Sequence, residues 1–312
     1  MKRYRYVAEF LSTPWALMPE RISAGASILS RWAEGRPASV STQQEIENDR
    51  QARDSRRADS LRAGGGAIAV LQLYGVITQR GNMMDDISGP GTCSAQVFSE
   101  GLRSALSDDT IGAILIDIDS PGGSVYGTAE LAAELYSARG QKPICAIANS
   151  LAASAAYWIG CSASEFYVTP GGEVGSIGVW QAHMDHSEEF AQEGIKTTLI
   201  AAGKYKTEGN PYGPLDEEAQ SFMQSRVDDY YASFTRSVAR GRGVPIEKVR
   251  NGMGQGRCIG ADAALAEKMV DGILTFDALI AQMQRQLKAS RQLMPVQKSR
   301  RAAAERTLQI LG

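Results

Sequence analysis

A serine set among alanines and a pair of lysines further down the chain are the residues best suited to covalent chemistry here. Ser154 lies in NSLAASAAYW (149–158), flanked by Ala152, Ala153, Ala155 and Ala156. Small neighbours let a peptide backbone approach a hydroxyl at a strand-to-helix turn. That is the logic of a nucleophile elbow without its G-x-S-x-G sequence. The same run also fits a small-residue helix packed closely on a sheet. A serine nucleophile needs a base. The chain has two histidines, His183 and His186, both in QAHMDHSEE. Lys204 and Lys206, in AAGKYKTEGNPY, are the other candidates. A lysine serves as a base when burial lowers its pKa toward neutrality, and is otherwise a solvated loop charge. Residue types alone leave the base open between histidine and lysine.

Two more Gly/Ser-rich segments flank this serine. DIDSPGGSV (117–125) puts Pro121-Gly122-Gly123 after an apolar run, with a helix expected from near Ser124. Backbone N–H groups at such a turn can hold an oxyanion. GGEVGSIGV (171–179) reads as a glycine turn around Ser176 leading into an apolar strand. Each segment alone also fits an ordinary turn.

These segments fall where strands end, the place where open α/β sheets bind ligands. AIAVLQLYGVIT (67–78) is expected as a strand with a bend at Gly75. IGAILIDI (111–118) and PICAIAN (143–149) are apolar throughout, as strands buried on both faces are. EFYVT (165–169) and KTTLIA (196–201) complete the expected strands. Helices are expected at 94–107, 125–139, 152–162, 186–194, 214–240 and 259–269, with a short one opened by Pro245. FDALIAQMQRQL (276–287) has an amphipathic pattern. The alternation gives an α/β fold with a largely parallel sheet and flanking helices.

Ahead of this core, a helical pattern starts near Pro19 and runs through Trp32. Residues 37–63 are polar, charge-mixed and nearly free of aliphatics, a linker composition. The expected organisation is an N-terminal extension (1–63), a catalytic core (64–275) and a C-terminal helix with a basic tail (276–312). The chain has 312 residues, 43% of them apolar and 22% charged, ample for a soluble globular core. Lys+Arg 33 against Asp+Glu 35 leaves a charge of -2, which argues against a nucleic-acid partner. Four scattered cysteines argue against a disulfide scaffold or a zinc ribbon, and two histidines against a His-rich metal site. No cofactor or metal is expected. No run of 18 apolar residues suggests a membrane span, and Glu9 interrupts the apolar stretch of MKRYRYVAEFLSTPW, so a cytoplasmic protein is expected.

SPGG after a buried strand, LAASAAYW, GSIGV and AAGKYKTEGNP, in that order, resemble the serine peptidases of the signal peptide peptidase A family. The resemblance covers about residues 66–275. It implies a ClpP/crotonase-like fold and a Ser/Lys dyad. Ser154 matches the family nucleophile, Lys206 the base, and Ser176 the hydroxyl that orients the lysine amine. Gly123 and Ala155 match the donors of the oxyanion hole. The family usually has two glycines after the serine, where this chain has Ala155 and Ala156.

Within the family, ALMPERISAGASIL (16–29) and HMDHSEEFAQEGIKTTLIAAGKYKTEGNPYGPL (183–215) resemble the head-maturation, or capsid assembly, proteases of tailed phages. This implies scaffold, capsid or portal proteins and the enzyme itself as substrates, in the host cytoplasm and within the procapsid. A homo-oligomer is also expected, with the apolar stripe of 276–287 buried at a contact between copies. The competing expectations are a bacterial signal-peptide-peptidase-like housekeeping protease, a crotonase-like acyl-CoA enzyme, and a non-enzymatic assembly factor.

Overall fold

A computed structural model describes residues 14–18, 67–80 and 92–289. The elements run β1 (Trp15–Leu17), β2 (Ala67–Tyr74), β3 (Val76–Thr78), β4 (Thr92–Ser94), α1 (Ala95–Ser107), β5 (Ile111–Ser120), β6 (Gly122–Ser124) and α2 (Thr128–Ala138). There follow β7 (Ile144–Ala153), α3 (Ala155–Gly160), β8 (Glu165–Val168), β9 (Glu173–Gly175), α4 (Ser187–Gln192), α5 (Glu217–Arg242) and α6 (Ile246–Asn251). β10 (Cys258–Gly260), α7 (Ala261–Ala266), β11 (Gly272–Ile273) and a last helix, α8 (276–289), complete the order.

The fold is α/β with a largely parallel main sheet. β2, β5, β7 and β8 pair side by side in parallel, and β9 extends β7 toward its C-terminal end. Both faces of the central strand β5 are buried. Ile114, Ile116 and Ile118 face the core under α1, α2 and α3, while Ala113 and Leu115 face α8. This is the two-sided burial that an uninterrupted apolar strand demands. A smaller sheet, in the order β1-β6-β3-β4, lies at the C-terminal ends of the main strands. Gly75, at φ 74, makes the bend that sends the chain from the first sheet into the second.

Several elements differ from the pattern-based expectation. The turn at SPGG does not lead straight into a helix. Gly122–Ser124 is a strand paired on both edges, and the helix waits for Gly127, at φ 80, to turn the chain. β7 continues to Ala153, because its last residues pair with β9 and Ser120. The helix expected at 152–162 is therefore only α3, beginning after Ser154. KTTLIA is not a strand. It lies exposed, with no sheet edge beside it among the described residues, and unpaired backbone does not hold a strand. The apolar strand expected after GSIGV is likewise irregular up to a single bridge at Trp180.

The stripe of α8 is not left for a neighbouring copy. Leu279 and Met283 are buried on Ile68, Val70, Leu115 and Ile147 of the chain's own sheet. The helical pattern from Pro19, the 37–63 linker and the 290–312 tail lie outside the described residues.

Candidate active site

Ser154 stands between the end of β7 and the start of α3. Its backbone is at φ 55 and ψ −118, a region that residues with a Cβ seldom adopt. Two hydrogen bonds hold it there: Ser154 N–H donates to Gly175 O at 2.7 Å, and Trp158 N–H donates to Ser154 O at 2.9 Å. The sharp turn is thus fixed from β9 on one side and by the first turn of α3 on the other. Ala152, Ala153, Ala155 and Ala156 are fully buried around it, so bulkier residues would not fit. Further along α3, Trp158 stacks on Phe234 of α5, with centroids 4.6 Å apart and planes 6° apart. Ser154 itself is 1% exposed. Among the described residues its hydroxyl donates only a long 3.5 Å contact to Gly178 O.

The SPGG strand runs directly over this turn. A methyl built on Gly122 would lie 2.9 Å from Ser154 Cβ and 3.1 Å from Ala153 O. One built on Gly123 would lie 2.0 Å from Ile77 O. Both glycines are needed for backbone to approach this closely. Ser120 Oγ steadies the turn, donating to Gly75 O at 2.6 Å and accepting from Gly122 N–H at 3.2 Å. Ala155 follows Ser154 as the first residue of α3.

Ser176 is buried next to this centre. Its φ is 53, and its N–H donates to Arg257 O at 2.9 Å. Gly175, at φ 132, packs against the same carbonyl, where a methyl would lie 2.5 Å away. β9 and β10 thus bring the GSIG turn against the end of β7.

The lysines are placed differently. Lys204 Nζ donates to Glu218 Oε1 and to Tyr205 OH, both at 2.8 Å. The Glu218 carboxylate, with Tyr205 beside it, holds the Lys204 ammonium above the ordinary lysine range. Lys206 is on the same exposed segment, and no hydrogen bond joins it to Ser154 or Ser176 among the described residues. The structure therefore brings Ser154, Ser176, Gly123 and Ala155 together and leaves Lys206 outside the group. The histidines do not fill the gap. His183 Nε2 contacts Asn210 O at 2.9 Å, and His186 Nδ1 pairs with Glu189 at 2.9 Å.

Sequence reasoning missed β1. Its residues lie against Gly122–Ser124 and Trp180, beside the nucleophile candidate. The available signal was WALM between Pro14 and Pro19, since prolines bias their neighbours toward extended backbone. Among the described residues no group of His, Cys, Asp or Glu is arranged to hold a metal, and no helix is long and apolar enough to cross a membrane.

Strand, strained serine, short helix and a double-glycine strand thus meet at one turn around Ser154. Comparison with known proteins finds that residues 137–290 match the model of Peptidase family S49. The head-tail preconnector protein GP5 of Enterobacteria phage P21 is 30% identical over 248 residues, covering 78% of this chain and 48% of that protein. Capsid assembly protease C of Escherichia phage lambda is 33% identical over 194 residues, covering 62% and 44%. Protease 4 of Salmonella typhi is 28% identical over 218 residues, covering 70% and 34%. The chain spans about half the length, or less, of these curated relatives.

Proposed function

We propose that this chain is a serine endopeptidase of phage head maturation, with Ser154 as nucleophile and Lys206 as base. The observation that carries the reading is Ser154 itself, a serine held at φ 55 between β7 and α3 beneath two glycines. Ser154 Oγ attacks the scissile carbonyl, and the neutral Lys206 amine takes its proton and later gives it to the leaving amine. The N–H groups of Gly123 and Ala155 receive the oxyanion. Ser176 orients the amine. The substrates are scaffold, capsid or portal proteins, bound as extended strands, and the chain itself. The place of action is the host cytoplasm and the procapsid. The names of the phage P21 and lambda relatives support this over a cellular role, for which the likeness to Protease 4 speaks.

For the dyad to form, the segment bearing Lys206 must come in from solvent. Ile195, Leu199, Ile200 and Tyr205 are exposed along it, with Ile200 at 96%. Such a row on one short segment is a surface to be covered. We therefore propose a homo-oligomer in which this segment is ordered against a neighbouring copy.

The test is peptide hydrolysis by single variants. Ser154→Ala and Lys206→Ala are each expected to lose at least a thousandfold in kcat/KM, and Ser176→Ala roughly tenfold to a hundredfold. Lys204→Ala, His183→Ala and His186→Ala are expected to stay within a few fold of wild type. An inactive His183→Ala beside an active Lys206→Ala would replace lysine by histidine as the base. A fluorophosphonate that fails to label Ser154 would favour an acyl-CoA enzyme or a non-enzymatic assembly factor.

A further inference from the structure

Residues 14–18 belong to none of the segments that resemble the family's catalytic motifs, yet they lie against the nucleophile candidate. β1 runs antiparallel to β6, with Trp15 opposite Ser124, Ala16 opposite Gly123 and Leu17 opposite Gly122. On its other edge, Trp15 and Trp180 exchange backbone hydrogen bonds of 2.9 and 3.0 Å. Trp180 Nε1 also donates to Leu17 O at 2.9 Å. An extended segment is thus held on both sides by backbone of the SPGG and GSIGVW motifs. Edge pairing on alternate residues is how peptide grooves bind a chain whatever its sequence.

The register places one peptide bond at the chemistry. Met18 N–H donates to Pro121 O at 3.1 Å, and Val125 N–H donates to Pro14 O at 3.4 Å. Antiparallel strands alternate between bonded and non-bonded pairs. The pair between those two bonded ones is Ala16 with Gly123, so Gly123 N–H faces the Ala16 carbonyl. That carbonyl also adjoins the serine. A methyl built on Gly122 would lie 2.3 Å from Ala16 O and 2.9 Å from Ser154 Cβ, so oxygen and serine crowd the same point. Ala16 is fully buried there, while Trp15 and Leu17 pack with Val76 and Trp180.

We infer that residues 14–18 occupy the peptide groove as an intramolecular substrate, and that Ala16–Leu17 is the first bond the chain cuts. This rests on the reading of Ser154 as the nucleophile. Ser154 Oγ bonds to the Ala16 carbonyl carbon, the Ala16–Leu17 C–N bond breaks, and the hydroxyl proton leaves on the Leu17 amine. Water then hydrolyses the ester, freeing the Ala16 carboxylate and restoring the serine. Until that cut, the groove is closed to other peptides. Other substrates present the same chemistry: a small residue on the acyl side of the bond, an aromatic residue before it and an aliphatic one after it.

Full-length wild type and full-length Ser154→Ala are purified and followed by intact mass and N-terminal sequencing. In parallel, hydrolysis of a fluorogenic peptide containing Pro-Trp-Ala-Leu-Met is recorded. The expected result is a species beginning at Leu17 in the wild type alone. Peptide hydrolysis is expected to show a lag, rising at least tenfold as that species accumulates. A wild type that hydrolyses the peptide without a lag while Ala16–Leu17 stays intact overturns the inference and leaves Ser154 as nucleophile. Cutting of this bond in Ser154→Ala also overturns it. A wild type that cuts neither peptide nor itself, and whose Ser154 takes up no fluorophosphonate, removes the nucleophile reading and the inference with it.

Discussion

Ser154 shows how a single residue can be placed by its surroundings against its own preference. Its φ of 55 and ψ of −118 cost a residue with a Cβ about 1–3 kcal/mol. The pairing of Ala153 with Gly175 and the hydrogen bond to Gly175 O hold it there. Replacing Ser154 by glycine relieves the strain but adds backbone entropy to the unfolded chain, about 0.5–1 kcal/mol. Ser154→Gly is therefore expected to be more stable than Ser154→Ala by about 1 kcal/mol, with hydrolysis lost in both. Thermal melts of the two variants check this, and an equal or lower Tm for the glycine variant would show that the turn stores no strain. Ser154, Gly123, Ala155 and Ser176 were legible as small residues clustered where strands end. The positive φ of both serines was not, because no local signal in LAASAA or GSIGV demands it. Each is imposed by a partner distant in the chain, Gly175 for Ser154 and Arg257 for Ser176.

The elements that carry the site are tied together behind it. The C-terminal end of α3 is held by Arg139, whose guanidinium donates to Ser162 O, Cys161 O and Gly241 O at 2.9–3.1 Å. One residue further along α5, Arg242 makes a two-point contact with Asp271 at 2.7 and 2.8 Å and is itself nearly buried. Burial pushes the Asp271 carboxyl up, but the hydrogen bonds from Arg242 and Phe166 N–H outweigh it and hold it below the ordinary range. A carboxyl depressed by folding stabilises the fold above its unfolded pKa, and that contribution is lost as pH falls through its folded value. Arg242→Ala is expected to cost about 2–4 kcal/mol at neutral pH, since it leaves Asp271 without its ion-pair partner. The difference from wild type should shrink in acid. Urea titrations at neutral and acidic pH measure it, and a difference independent of pH would assign the loss to packing alone. Long elements such as α1, β5, α5 and α8 were readable because many residues repeat one period. The three-residue strands β1 and β6 were not, because three residues show no period. Their pairing comes from edges far away in the chain.

At the scale of the molecule, the described residues place Ser154 inside the core and Lys206 on an exposed segment outside it. The segment from Ile195 to Lys206 is exposed, and Ile200 most of all. If a second copy covers it, Ile200→Asp is expected to shift the protein to a smaller species and to lower kcat/KM at least tenfold, because burying a carboxylate is costly. Light scattering after size exclusion, together with the peptide assay, reads both effects. Mixing Ser154→Ala with Lys206→Ala separates the two ways of closing the dyad. Recovered hydrolysis means serine and lysine come from different copies, and an inactive mixture means each copy uses its own. A wild type that is strictly monomeric and active would remove the oligomer.

Composition and periodicity by themselves determined the class of this fold and marked Ser154 as a serine set among small residues. A strand buried on both faces must be apolar throughout, and a nucleophile that meets a peptide backbone must have small neighbours. Both requirements act on adjacent residues and so are written locally. Only the tertiary structure decided that Gly122 and Gly123 form a strand rather than a helix start, that KTTLIA has no sheet edge to join, and that α8 buries its stripe on the chain's own sheet. It alone also placed Trp15–Leu17 over Ser154. Each of these depends on which backbone edge or apolar face is left open once the rest has packed, and pairing across such edges carries almost no signal in either sequence alone.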